Sequence, residues 1–317
     1  MKIAVTGGSG FIGTNLLVDL LKKNHEIINI DIVSPPINAL KTKTEICDIC
    51  DKERLSQIIK SFAPDYIVHL AARTDLNGKT IEDYDVNISG TKNVVDIASD
   101  LPGLKKLLVT SSMLVCKAGY QPKHSEDYCP TTLYGESKVE TERITRDINP
   151  ACDWAFLRPT SIWGPWFKVP YRNFFDMVLS HKYFHIGHKS CTKTYGYIGN
   201  AIYQIEQLLF IDTSSNSDKV YYLGDEPTNI EEWANEIATA NNQKILRLPF
   251  SLFKVVALLG DGLKKIGISF PMTSFRLKNM STDNIIDLKN TDQIAPNRPF
   301  TRIEGIKTTL DWLKHNR

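Results

Sequence analysis

The chain has 317 residues, 42% of them hydrophobic and 23% charged, with a formal net charge of +2. That make-up suits a globular protein with one large α/β domain, or a main domain with a smaller lobe. It gives no case for a nucleic-acid partner, which calls for a strongly basic face, and no window holds the ~20 consecutive apolar residues of a membrane span.

The predicted elements alternate. The N-terminal "MKIAVTGGSGF" turns glycine-rich at once and reads as a first strand rather than a leader. A helix follows over 11–24, with Phe11, Ile12, Leu16, Leu17, Leu20 and Leu21 at helical spacing. Next come strands over 26–31 and 42–47, a helix over 51–62, a strand over 65–72 and a helix over 82–99. A strand over 104–112, a helix around Tyr134 and a strand over 153–160 complete the first half. This order predicts an α/β fold, a doubly wound parallel sheet with helices on both faces. After about Pro165 the alternation loosens. Residues 166–190 read as loop, helix and loop, 198–210 as helix, 219–224 as strand and 229–241 as helix. The expected division is a dinucleotide-binding domain over 1–165 and a smaller substrate-binding lobe over 166–317, some of whose segments return to the main sheet.

Three features carry little chemistry by themselves. The six cysteines are scattered, and Cys47 and Cys50 lack both a second pair for zinc and a thioredoxin-like setting. A reducing cytoplasm is the expected compartment. His181, His185 and His188 have no suitably spaced carboxylate, so no metal is assigned. "SLFKVVALLGDGLKKIGISF" reads as a lobe helix and loop interrupted by Gly260 and Gly262, in preference to a membrane-surface helix.

"VTGGSGFIG" satisfies G-x-G-x-x-G at Gly8, Gly10 and Gly13, and G-x-x-G-x-x-G at Gly7, Gly10 and Gly13. It follows a strand and opens a helix, where such glycines let the backbone approach a pyrophosphate seated on free helix amides. Asp31 lies 18 residues beyond Gly13, near the spacing of the acid that binds the adenosine ribose. A carboxylate there repels a 2′-phosphate, so NAD is favoured over NADP.

The set "TGGSGFIG", Asp31, "CDICD", "VHLAA", "VNISGT", "VTSS" and "YGESK", in that order, resembles the extended short-chain dehydrogenases/reductases. Within them it is most similar to the NAD-dependent epimerase/dehydratase group, with a Rossmann-type domain. The resemblance implies that Phe11 and Ile12 lie against the pyrophosphate and that Asp48 and Ile49 frame the adenine. Leu70, Ala71 and Ala72 would wall the phosphates and ribose, and Asn87 would bond within the site. Ser112, Tyr134 and Lys138 correspond to the catalytic serine, tyrosine and lysine. Lys138 would bind the nicotinamide ribose and, with the positive nicotinamide ring, favour the tyrosinate. Tyr134 would take a substrate hydroxyl's proton while Ser112 holds the same oxygen.

The chain departs from that pattern in several places. Met113 and Leu114 stand where dehydratases carry an acidic pair, which argues against elimination of water. Ser161 replaces an asparagine that binds the diphosphate in sugar epimerases, and Gly199 and Asn200 stand where acids are usual. Arg172, Lys193 and Arg276 are the candidate replacements for a diphosphate anchor. The expected activity is a sugar-nucleotide 4-epimerase working in the cytoplasm as a homodimer on a small-molecule substrate. The alternative is a dehydrogenase or ketoreductase of a hydroxysteroid-like or other small alcohol.

Overall fold

A computed structural model describes residues 1–169, 171–187, 190–265, 274, 277 and 282–316. Seven strands make one parallel sheet: β1 (Lys2–Thr6), β2 (Glu26–Asp31), β3 (Thr44–Ile46), β4 (Tyr66–His69), β5 (Lys106–Thr110), β6 (Asp153–Pro159) and β7 (Val220–Leu223). Their order is β7-β6-β5-β4-β1-β2-β3. The chain runs outward from β1 to β3, then returns to build from β4 on the other side. The crevice where an α/β sheet binds ligands therefore opens at the C-terminal ends of β1 and β4.

Parallel strands are covered on both faces, and their sequences show it. Every residue of β5 is buried. Ile3 and Val5 join one core cluster and Ala4 the other, as alternation along a strand requires. Ile3 and Val5 meet Leu16, Leu17 and Leu20 of α1 (Phe11–Lys22). On the opposite face Ala4 shares a cluster with Leu55 and Ile59 of α2 (Lys52–Phe62) and with Val94 and Val95 of α3 (Thr91–Ser99). α2 starts at Asp51, whose carboxylate accepts from Arg54 N, and stops at Ala63 in the left-handed conformation. α4 (Leu133–Ile148) starts at Thr132, whose hydroxyl accepts from Gly135 N.

The later part of the chain supplies β7 at the sheet edge and a helical lobe: α5 (Tyr171–Leu179), α6 (Ile198–Phe210), α7 (Ile230–Ala240), α8 (Phe250–Lys265) and α9 (Arg302–His315). α6 packs on α1, and Lys23 pairs there with Glu206. Trp163, Phe175 and Trp233 pack ring against ring in the lobe and share a cluster with the α1 face of the sheet. Among the described residues no helix is long and apolar enough to cross a membrane.

Two expected elements differ. Residues 82–99 do not form one helix. A 3-10 turn (Ile81–Tyr84) leads into a π turn (Val86–Gly90) and only then into α3. The Asn87 carbonyl of that wide turn accepts from the hydroxyls of both Thr91 and Thr141, so side-chain bonds replace regular helix bonds. Gly260 and Gly262 do not break α8. A glycine costs a helix only about 1 kcal/mol relative to alanine, which neighbouring turns absorb.

Candidate active site

β1 ends at Thr6, and the chain turns at Gly7 with φ +74°. A Cβ at Gly7 would lie 2.5 Å from Ala71 N, so the turn needs glycine for both its backbone angle and its neighbour. At Gly13 a Cβ would lie 2.5 Å from Gly7 O, where α1 packs on its own entry loop. Gly10 begins α1 with no side-chain cap, which leaves first-turn amides available to an anion. Asp31 ends β2, and its carboxylate accepts from Ser9 N (2.9 Å) and Val33 N (3.1 Å), so it stands directly beside the loop. Phe11 and Ile12 open α1 and are half-buried.

The strand after the loop is held by a buried polar column. Leu70 N donates to Thr6 O, and Leu70, Ala71 and Ala72 continue past the end of β4 beside Gly7. His69 pairs through Nδ1 with Thr6 Oγ1 (2.7 Å) and through Nε2 with Thr91 Oγ1 (3.0 Å). Burial, with Lys138 adding to it, pulls the imidazole down to about 3, so it is neutral and ties β1, β4 and α3 together. Asn87 is fully buried. It accepts from Arg73 N (2.8 Å) and donates to Arg73 O (3.0 Å) and Ser137 Oγ (2.9 Å), joining the segment after Ala72 to α4. Asp48 is exposed and Ile49 buried, and Asn93 of α3 donates to Ile49 O (3.0 Å). Cys47 and Cys50 are free thiols, and burial pushes Cys50 up to about 11.

Ser112, Tyr134 and Lys138 come together where β5 ends. Ser112 caps the short turn Met113–Val115 and accepts from Leu114 N (3.1 Å). Tyr134 and Lys138 lie one turn apart on α4 and both are buried. Lys138 Nζ donates to Thr110 O (2.9 Å). Burial pulls its ammonium down to about 8, while the Glu142 carboxylate raises it. The expected lowering of the Tyr134 pKa rests on Lys138 together with the positive nicotinamide ring, and in the chain by itself burial acts in the opposite direction. Burial pushes the phenol up to about 12, the hydrogen bond with Ser112 works against that rise, and Tyr171 and Tyr84 add to it. Desolvation of the phenolate is therefore the largest effect, and Lys138 Nζ is committed to the Thr110 carbonyl.

Glu142, one further turn along the same face of α4, holds this arrangement and was not singled out from the sequence. Its carboxylate accepts from Arg158 Nε (2.8 Å) and Nη2 (2.7 Å) and from Tyr128 OH (2.9 Å). Arg158 also donates to Ser125 O (2.6 Å) and Tyr222 OH (2.9 Å). One buried ion pair thus joins α4, β6, β7 and the loop between Ser112 and Tyr134. The i, i+4 spacing from Lys138 to Glu142 was the available signal.

On the substrate side Ser161 Oγ accepts from Tyr171 OH (2.8 Å), and Tyr171 lies close enough to Tyr134 to raise its pKa. Arg172 is engaged elsewhere. It pairs with Asp176 (3.6 Å), lies 5.9 Å over the Trp312 ring and donates to Asn316 O (3.4 Å), so the structure joins it to the C-terminal helix and not to Ser161. Lys193 sits on a short strand (Thr192–Lys193) paired with Thr228–Asn229, and burial lowers its pKa. Arg276 lies outside the described residues. Asn200 bonds to Asp225 (2.9 Å) and to the Phe300 carbonyl (2.8 Å) and amide (3.0 Å), so it anchors the chain ahead of α9. His185 pairs with Asn235 and His181 with Gln243, while His188 lies outside the described residues.

The glycine cradle, the uncapped start of α1 and two buried hydroxyls without a partner, Thr110 Oγ1 and Ser111 Oγ, all fit a dinucleotide whose polar groups would complete them. Gly7, Gly10, Gly13, Asp31 and Lys138 are the candidates that would hold it. When bound, NAD supplies a hydride acceptor and a positively charged ring.

Comparison with known proteins agrees. The sequence model of the NAD dependent epimerase/dehydratase family matches residues 3–198. A 3-beta-hydroxysteroid dehydrogenase of Mycolicibacterium neoaurum is 31% identical over 268 residues, 77% of this chain and 71% of that protein. An N-acetyl-alpha-D-glucosaminyl-diphospho-ditrans,octacis-undecaprenol 4-epimerase of Escherichia coli O157:H7 is 28% identical over 322 residues, 98% of this chain and 95% of its own. Among solved structures, UDP-glucuronic acid 4-epimerase from Bacillus cereus, in complex with UDP-glucuronic acid and NAD, matches with a TM-score of 0.75 at 20% identity over 100% of both chains. The parallel sheet, the cradle and the family match together make this chain a member of the NAD-dependent epimerase/dehydratase family, an enzyme of the extended short-chain dehydrogenase/reductase type whose cofactor is NAD.

Proposed function

We propose that the protein is a 4-epimerase-like enzyme acting on a sugar carried on a diphosphate, either a nucleotide sugar or a polyprenyl-linked one. It would oxidise one hydroxyl to a ketone for a moment and restore it with the opposite configuration, with no net redox. The carrying observation is the buried set of Ser112, Tyr134 and Lys138, with Tyr134 and Lys138 one turn apart on α4 and the Ser112 hydroxyl near enough to the phenol to act on its pKa. With NAD bound, its positively charged ring together with Lys138 would favour the tyrosinate, and Tyr134 in that form would accept the proton of the substrate hydroxyl and later return it. Ser112 donates to the same oxygen as it gains negative charge. Lys138 keeps a positive charge beside the phenol, and Glu142 helps it to do so. Met113 and Leu114, directly after Ser112, offer no acid or base for elimination of water. Similarity along nearly the whole chain to a protein named as a 4-epimerase supports the reading. Lys193, Arg276 and Ser161 remain the candidate contacts to the diphosphate, in an enzyme that works in the cytoplasm as a homodimer.

A second reading, a dehydrogenase of a hydroxysteroid-like alcohol, draws on Ser161. Its hydroxyl is bonded to Tyr171 where sugar epimerases resembling this chain carry an asparagine, and a hydroxysteroid dehydrogenase is among the relatives. One experiment separates the two. The enzyme is incubated with NAD and a panel of uridine and thymidine diphosphate sugars, polyprenyl diphosphate sugars and hydroxysteroids, following product identity and absorbance of reduced cofactor. An isomeric sugar without accumulated reduced cofactor establishes the epimerase. Stoichiometric reduced cofactor from a steroid establishes the dehydrogenase.

A further inference from the structure

α8 is apolar on its outer face. Leu252, Val255, Leu258 and Leu259 are 46%, 56%, 66% and 61% exposed, and steps of three and four place them on one stripe. Leu246 and Phe250, 67% and 39% exposed, extend it at the N-terminal end. The inner face is thin, with Ala257 buried and Phe253 and Val256 half-buried. The helix is tethered where Arg247–Leu248 pairs with His185–Ile186, and among the described residues no other helix or strand packs along it at length. A surface helix of a soluble lobe turns polar residues outward, and a contiguous exposed apolar patch marks a surface used for binding.

Charge selects the partner. From 241 to 263 the chain carries Lys244, Arg247 and Lys254 against one carboxylate, Asp261, and Arg247 is paired with Glu231 of α7, so Lys244 and Lys254 are the cations that bear on the choice. Lys244 and Lys254 are exposed, and Lys254 Nζ lies 5.3 Å over the Phe250 ring at the head of the stripe. An apolar stripe edged by cations complements the headgroup region of an anionic bilayer. A second copy of this chain is the poorer match, because a two-fold contact centred on the stripe sets each Lys254 near its own equivalent. We propose that α8 docks the lobe on the surface of an anionic membrane, lying in the plane of the headgroups with Leu252, Val255, Leu258 and Leu259 in the acyl boundary. At 16 residues the helix lies on the bilayer and does not cross it. The proposal deepens the functional reading on one point, since a polyprenyl-linked substrate is met at such a surface. Its test needs no substrate, so it fails or stands separately from that reading.

The test is flotation of the full chain with vesicles of phosphatidylcholine and phosphatidylglycerol, and with phosphatidylcholine alone. The unmodified protein floats with the anionic vesicles and much less with the neutral ones. The double variant Leu258→Glu, Leu259→Glu lowers the vesicle partition coefficient by about tenfold or more, since two carboxylates replace buried alkyl groups. Lys254→Glu lowers it by roughly fivefold, and added salt weakens the unmodified protein in the same direction. NAD binding by each variant confirms folding. The proposal is overturned if the unmodified protein does not float, or if the double variant floats as well as the parent. It is also overturned if sedimentation shows the double variant splitting a dimer while neither protein binds vesicles, which would make the stripe a contact between copies.

Discussion

The glycines and the acid at the pyrophosphate end of the candidate cofactor cradle lie between Gly7 and Asp31, on α1, β2 and the turns that join them, with Leu70 and Ala71, distant in sequence, packed on Gly7. The substrate side is assembled from distant points. Ser161 meets Tyr171 of α5, and Asn200 of α6 reaches both Asp225 beyond β7 and Phe300 ahead of α9. The first region positions its groups through backbone geometry over one β-α-β unit. The second does so through side chains that meet only after the lobe has closed on the sheet. Chemistry near the turn of a strand into a helix is therefore robust to what surrounds it, whereas specificity depends on long-range contacts.

Four substitutions sharpen that contrast, and the largest effect falls on the residue that joins the two regions. Tyr134→Phe keeps the ring and removes the proton acceptor, so turnover falls by about 10²–10⁴-fold, as for other lost acid–base groups. NAD affinity by calorimetry changes little. Near-normal turnover would remove Tyr134 from the chemistry.

Glu142→Gln leaves Arg158 buried without its partner carboxylate, and breaking such a pair costs about 3–5 kcal/mol, read from urea unfolding. It also predicts a pH effect. Glu142 raises the Lys138 pKa, which burial holds at about 8. Without that charge the ammonium loses its proton at lower pH, so the alkaline fall in kcat/KM begins earlier. An unmoved alkaline limb in a folded variant would show that Glu142 acts on the loop alone.

Asp31→Ser removes the carboxylate beside the loop. Loss of charge-assisted hydrogen bonds of about 1.5–3 kcal/mol predicts NAD binding weaker by roughly 10- to 100-fold, with NADP gaining on it. Tighter NADP than NAD in the unmodified protein would break the ribose assignment. The smallest effect is expected of Tyr171→Phe, which removes one neutral bond to Ser161. At about 0.5–1.5 kcal/mol, KM rises roughly 2- to 10-fold while NAD affinity holds. A change in NAD affinity instead would place Tyr171 on the cofactor side of the boundary.

The cradle was legible because its constraints are local. Gly7 needs a positive φ, Gly13 needs contact with its own loop, and the acid must end the next strand. Helical spacing put Tyr134 and Lys138 on one face, and the family resemblance singled out that pair and Ser112 as candidates. The ionisation of the set was not legible. A lysine four residues from a phenol suggests a lowered pKa, yet burial of Tyr134, with Tyr171 and Tyr84 beside it, raises it against the opposing effect of Ser112. Glu142 shared the visible spacing, but its partners Arg158, Tyr128 and Tyr222 lie on other elements. Arg172 looked free to clamp a diphosphate until Trp312 and Asn316 were found against it.

The sequence by itself determined the parallel α/β architecture, the dinucleotide loop and the preference for NAD, and its resemblance to a known family singled out Ser112, Tyr134 and Lys138 as the catalytic candidates. The first three follow from periodicity or from spacing within one or two adjacent elements, and the candidates follow from the resemblance. Only the tertiary structure decided how the substrate side is lined, which cations are engaged elsewhere, and how burial sets the protonation of Tyr134, Lys138 and His69. It also showed that α8 runs unbroken through its glycines with its apolar side outward. Burial and long-range pairing are properties of the packed chain. They depend on which surfaces meet, and no local pattern encodes that.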